Sequence, residues 1–189
     1  MRDKKAASQM NRILTAMGVL LMFAACDGQR SGSSKTIDDR ATANEPEKNI
    51  YKSGDSMLAA FKRKDWIAFV RYNNPNMTKR MGGTEGFASF INMQMKQIPE
   101  SAIKSLTLGR ILQVVKTPKD EQCVVEQNMK MEQKGMTLVK TTYLVGESLD
   151  NGTTWTFFDA STKTGLVPKD IKPDISDDLK IPTTTNEVN

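Results

Sequence analysis

Few side chains in this chain could do chemistry, and they fall in three places. The densest is Ser148-Leu149-Asp150-Asn151-Gly152-Thr153-Thr154-Trp155, with a hydroxyl and a carboxylate two residues apart in a loop. Such a pair can hold a sugar hydroxyl or a metal ion, or it can close its own turn. Asn151-Gly152 supplies the positive φ that a short hairpin needs, and Trp155 can pack beneath it. Ser148, Asp150, Gly152 and Trp155 are therefore expected to build a turn. The second place is Cys26, at the end of an apolar run. The third is a set of polar residues within apolar strand faces, Gln127, Thr141 and Tyr143. A buried polar group is usually satisfied by backbone or water, but in a pocket it could orient a ligand. The chain has no histidine, so the commonest general acid/base and metal ligand is missing. No Gly-rich phosphate loop, CxxC or HExxH occurs. The residues assign no catalytic set, no metal and no cofactor.

The pattern S-x-D-x-G-x-T-W in Ser148–Trp155 resembles the Asp-box of sialidases and related β-propellers. A propeller needs several blades of four strands, each repeating its motif. This chain has 189 residues and one copy of the box. Length and copy number exclude that architecture.

Residues 1–25 read as a signal peptide. Arg2, Lys4, Lys5 and Arg12 form a basic start, and Ile13 to Ala25 is an apolar run of 13 residues, too short for a membrane-spanning helix. Phe23-Ala24-Ala25-Cys26 resembles the lipobox of bacterial lipoproteins, with Phe23 where that family prefers Leu. The resemblance implies that Cys26 carries lipid. Met10 is an alternative start. Residues 26–46 are rich in Gly, Ser, Asp and Thr without apolar periodicity, which is the composition of a flexible tether. The expected location is the bacterial cell envelope, with the membrane reached through the N-terminal lipid. The sequence leaves open which membrane holds it.

Charge and cysteine usage agree with this. The net charge is +5, from 27 basic and 22 acidic residues. Residues 1–25 carry four of the basic residues and one of the acidic, so 23 basic and 21 acidic residues remain after processing. That balance excludes a nucleic-acid footprint. The second cysteine, Cys123, is expected to be a small buried residue.

The remaining pattern predicts a domain over residues 47–168. Ile50, Met57, Leu58 and Phe61 mark a helix over 47–64, although Gly54 weakens it. Asp65 caps a second helix over 66–72. Asn73-Asn74-Pro75-Asn76 breaks the chain, and Met77 to Met81 reads as a short strand. A third helix runs from Thr84 to about Ile98, where Pro99 stops it. The period then changes to two, predicting strands over 103–116, 123–132, 136–148 and 154–159 with a bulge near Gly109. A Gln133-Lys134-Gly135 loop joins the second and third. The expected fold class is α+β, N-terminal helices packed on a curved antiparallel meander of four or more strands. Residues 169–189 read as a mostly irregular tail outside the core. Only Ile171, Ile175, Leu179 and Ile181 could bury anything there. Deleting residues 176–189 would then change stability by less than about 0.5 kcal/mol.

FKRKDWIAFVRYNNPNMTKRMGGTEGFASFI, residues 61–91, resembles the opening of nuclear transport factor 2-like domains, including the SnoaL-like group. A cystatin-like or other helix-on-sheet sandwich is the alternative. The first resemblance implies a sheet wrapped round the helices as a cone. That family includes enzymes such as ketosteroid isomerase, which use a Tyr and an Asp in the cone. Tyr51, Tyr72, Tyr143 and Asp159 are the available residue types, and none aligns with those catalytic positions. The expectation is a membrane-anchored, non-enzymatic envelope lipoprotein whose domain binds a small molecule or an envelope protein. The alternative is a cone-pocket isomerase- or dehydratase-like enzyme.

Overall fold

The computed structural model describes residues 40–133, 135–160 and 167–188. The expected signal peptide, Cys26 and most of the expected tether fall outside the described residues, as does Lys134. Among the described residues no helix is long and apolar enough to cross a membrane.

The chain opens with α1, Glu45–Lys62. It starts two residues earlier than the pattern predicts because Asn44 and Glu47 form a capping box. The Glu47 N–H donates to Asn44 Oδ1 at 3.0 Å, and the Asn44 N–H donates to Glu47 Oε2 at 2.9 Å. Two of the orphan donors at the helix start are satisfied in this way. Lys64, with φ of 58°, turns the chain out of the helix. Gly54 has a packing role: a Cβ there would lie 2.3 Å from Leu108 Cδ1, so its absence lets α1 approach the sheet.

Helix α2, Trp66–Arg71, is capped by Asp65, which accepts from the Ala68 N–H at 3.0 Å. The next segment corrects the expectation of a strand over 77–81: Pro75–Arg80 is a helix, α3. Asn74 accepts from the Asn76 N–H at 2.9 Å, and Pro75 follows at the first helical position, where its missing N–H costs nothing. Asn74-Pro75 therefore starts a helix. Helix α4 spans Gly83–Met95, and a 3₁₀ turn over Glu100–Ala102 leads into the sheet.

Four long or medium strands follow in the predicted order: β1 (Ile103–Lys116), β2 (Glu121–Gln133), β3 (Met136–Ser148) and β4 (Thr156–Asp159). They pair as an antiparallel meander, β1-β2-β3-β4. The register slips between Leu108 and Gln113, on either side of Ile111, which places the bulge beside Gly109. After a four-residue helix, α5 (Pro168–Ile171), the chain returns as β5 (Thr185–Val188), which pairs with β3 over Leu138–Thr141. One edge of β3 is thus shared, with β4 taking Leu144–Glu147 and β5 the other end. The arrangement is α+β.

Alternate residues of a strand point to opposite faces, and both faces are covered. On one, Cys123, Val125, Leu144 and Phe157 pack with Ile50, Met57 and Leu58 of α1. On the other, Val124, Tyr143, Val145 and Phe158 pack with Ile171, Ile175 and Leu179. The C-terminal segment is irregular between α5 and β5, yet it belongs to the core. This corrects the expectation that it lies outside. The four apolar residues noted in the sequence are the ones that dock, because the outer face of β2 and β3 is itself apolar and needs a cover.

Candidate functional site

Strand pairing decides which residues meet. Directly opposed residues of an antiparallel pair share a face. Gln127 opposes Thr142, Met129 opposes Lys140, and Leu144 opposes Asp159. These six therefore stand on one face of the sheet, under Phe61 of α1, Phe69 of α2, and Phe87 and Phe90 of α4. Between the layers lies a cavity of about 140 Å³. Its wall is mostly Met, Phe, Leu and Ile. The polar exceptions from the sheet are Gln127, Lys140, Thr142 and Asp159. Thr142 Oγ1 donates to Gln127 Oε1 at 3.3 Å, and Lys140 is buried. From α4, Gln94 also borders the space, and its Oε1 is buried without a hydrogen-bond partner among the described residues.

Of the three residues expected to line a pocket, Gln127 does so and the other two face away. Thr141 Oγ1 donates to Asn128 Oδ1 at 2.9 Å on the opposite face. Tyr143 lies in the outer apolar cluster, where burial and, secondarily, the nearby Glu126 carboxylate push its hydroxyl above the ordinary tyrosine value. The error is one of parity. Both faces of β3 are apolar because both are covered, so alternation alone does not say which is inner. The hairpin would have settled it: Gln133 opposes Met136, and counting back from that closure pairs Gln127 with Thr142.

The Ser148–Trp155 loop joins β3 to β4, and its polar groups serve one another. Ser148 Oγ donates to Asp150 Oδ1 at 2.8 Å and accepts from the Gly152 N–H at 2.9 Å. Asp150 Oδ1 also accepts from the Thr154 N–H at 2.8 Å, and Oδ2 accepts from Thr154 Oγ1 at 2.7 Å. The Thr154 N–H first, then the Thr154 and Ser148 hydroxyls, lower the Asp150 carboxyl to about 2. Asn151 and Gly152 take positive φ, 54° and 77°. Trp155 is buried and donates from Nε1 to the Gly152 carbonyl at 3.1 Å. Asn49 of α1 donates to the same carbonyl at 2.9 Å. Both oxygens of Asp150 are thus occupied within the turn, and the loop is tied to the first helix.

Sequence reading missed a second polar assembly. Lys172 sends a buried ammonium to Asp120 Oδ2 at 2.5 Å, Glu147 Oε1 at 2.5 Å and Asp174 Oδ1 at 2.9 Å. Burial alone would lower the lysine's pKa, but hydrogen bonds to Asp120, Glu147 and Asp174 outweigh it and hold the group above its ordinary value. Burial would likewise raise Asp120, and bonds from Lys172, Thr117 and Gln122 outweigh it in the other direction. Asp174 is lowered, mainly by Lys172. Asn74 donates to Glu147 Oε2 at 2.7 Å, and Gln122 spans to the tail by accepting from the Ser176 N–H at 2.9 Å. The three carboxylates have the donor set of a cation site; the cation they hold is Lys172. Their sequence positions, spread from the β1–β2 turn to the C-terminal segment, give no spacing signal.

Cys123 is fully buried, and desolvation pushes its thiol far above the ordinary value. It is an apolar filler in the sheet.

No family model matches this chain, and no curated protein matches it. Among solved structures, the crystal structure of TerC co-crystallised with polyporic acid is similar at a TM-score of 0.32 and 13% identity. The match covers 59% of this chain and 90% of that one. A likeness at that level carries no argument about fold family or ligand.

Proposed function

We propose that this is a lipid-anchored envelope lipoprotein whose nuclear transport factor 2-like domain binds a small, mostly apolar molecule between its helices and its sheet. The observation that carries the reading is the cavity of about 140 Å³ with four inward polar groups from the sheet. Comparable apolar cavities, about 150 Å³, take up benzene-sized ligands. Methionines 57, 77, 95 and 129 in the wall are unbranched and can make way for a larger guest. Support for the anchor comes from the apolar run Ile13–Ala25, its Ala24-Ala25-Cys26 ending and the Gly/Ser-rich segment after it.

An acid–base enzyme in the same cavity has the carboxylate it would need, Asp159. No tyrosine stands among the described lining residues; Tyr143 faces outward and Tyr51 packs under Arg40, 4.4 Å from its guanidinium. Binding is therefore the better-supported reading.

Toluene titrated into the full-length protein should bind and raise its melting temperature. Ile91→Trp, which places a larger ring in the wall, should remove the effect. No toluene binding by the parent protein would defeat the cavity reading. Separately, a palmitate analogue should label the protein in cells, and Cys26→Ser should abolish the label; a label that survives the substitution rules out acylation at Cys26.

A further inference from the structure

A second space lies against the first. A groove of about 310 Å³ is bordered by Phe61, Met95, Ile103 and Leu106, which also border the inner cavity. One layer of four apolar side chains therefore divides the two. Phe61 and Met95 stand on helices α1 and α4, Ile103 and Leu106 on β1, so the partition lies where the helical layer meets the edge strand. Met95 has the flexible thioether chain best suited to swing aside. Together the two spaces reach the size of a small-molecule pocket, roughly 300–1,000 Å³, which the inner cavity alone does not.

The outer groove differs from the inner cavity in its charge. Its rim carries Lys62, Lys64 and Lys104 against one acid, Glu100. Lys64 meets Glu100 at 2.9 Å, and Lys104 stands 3.6 Å from Glu132. These side chains are all more than two-fifths exposed, so their heads can turn to a guest without losing a buried contact. Trp66 and Ile98 give the groove an apolar floor.

We infer that cavity and groove form one site for an amphipathic anion. Its single apolar chain passes the Phe61–Met95–Ile103–Leu106 partition into the inner cavity, and its carboxylate stays at the lysine rim. The inference rests on the cavity reading above and adds the ligand's class. Attraction by exposed lysines is screened by salt, so the charged head makes binding salt-dependent and the apolar chain does not.

The test compares decanoate, 1-decanol and decylammonium by calorimetry on the full-length protein, with toluene as the probe of the inner cavity. Decanoate should bind at least tenfold more tightly than decanol at low salt, decylammonium more weakly than either, and added salt should narrow the gap. The triple variant Lys62→Glu, Lys64→Glu, Lys104→Glu should lose about tenfold in decanoate affinity while keeping its affinity for decanol and toluene, which also shows that it is folded. Equal binding of decanoate and decanol, an unaffected triple variant, or toluene binding without any ten-carbon ligand would each overturn the anion inference and leave the cavity reading standing. Absence of toluene binding as well would remove both.

Discussion

The two faces of the central sheet are made by alternate residues of the same strands, yet they are closed in opposite ways. Under α1, α2 and α4 the closure is by aromatic and methionine side chains, and it leaves a cavity of about 140 Å³. Under residues 171–181 the closure is by a short apolar cluster sealed at one end by Lys172 and its carboxylates. Apolar contacts are non-directional, so a layer of helices can settle on them with space to spare. An ion cluster demands fixed partners, because a buried charge left alone is costly. The outer face is thus specified atom by atom, while the inner face is specified by volume. This division would suit the binding proposed above, with the outer face holding the domain's shape and the inner face left to admit a guest.

The comparison breaks most visibly at Lys172. Lys172→Ala leaves Asp120 and Glu147 facing each other without a cation, and side-chain exposures of 1% and 13% give them little water to compensate. Breaking a buried pair by removing one partner costs about 3–5 kcal/mol, and a loss in that range is expected from urea denaturation. A loss below about 1 kcal/mol would show that water already reaches the cluster.

Removing residues 176–189 is the next test. It deletes Leu179, which is 7% exposed, the partly buried Ile181, and strand β5 from the edge of β3. Full burial of one leucine contributes about 1.5–3 kcal/mol, so a total loss of about 3 kcal/mol is expected. The composition of the tail, with its prolines, aspartates and threonines, predicts almost none. A truncated chain with unchanged thermal stability would mean that the outer cover ends at Ile175.

Acid should loosen the outer face first. Asp120 and Asp174 have carboxyls held below their ordinary values, chiefly through Lys172. A depressed carboxyl contributes stability that is complete above the unfolded-state value, about 4, and is lost as the pH falls through the folded-state value. Lys172, raised from its ordinary value, stays charged throughout that window and does not offset the loss. Proton exchange of the Ser176 amide, bonded to Gln122, should speed up on acidification before that of amides in α1. Simultaneous loss in both regions would mean that the two faces open together.

How much of this was legible follows the same division. Strand order, the bulge beside Gly109 and the Asp65 cap all follow from local patterns, and the structure has them. Asn74-Pro75 was legible too, as a helix start, but its Asn-rich surroundings read more readily as a break. The choice of Thr142 over Thr141 for the cavity depended on counting from the hairpin, since polarity alternates weakly where both faces are buried. The Lys172 cluster joins residues 120, 147, 172 and 174. No periodic signal links positions that only the tertiary fold brings together.

The smallest expected effect probes the inner face and is the one whose sign is in question. In an exposed helix Gly54→Ala would stabilise by about 0.8–1.0 kcal/mol, since alanine loses less backbone freedom. Here the new Cβ would lie 2.3 Å from Leu108 Cδ1 and 3.4 Å from Leu108 Cγ, and Leu108 is 6% exposed. Forcing extra volume into a packed contact costs about 1–3 kcal/mol, so the net expectation is a loss of about 1 kcal/mol. Leu108→Ala should convert the same substitution into a gain, because the clashing methyl is then gone, and the double-variant cycle isolates that contact. If Gly54→Ala stabilises the parent protein, α1 can lift from β1 at little cost. The inner face would then be loose over its whole width and not only around the cavity.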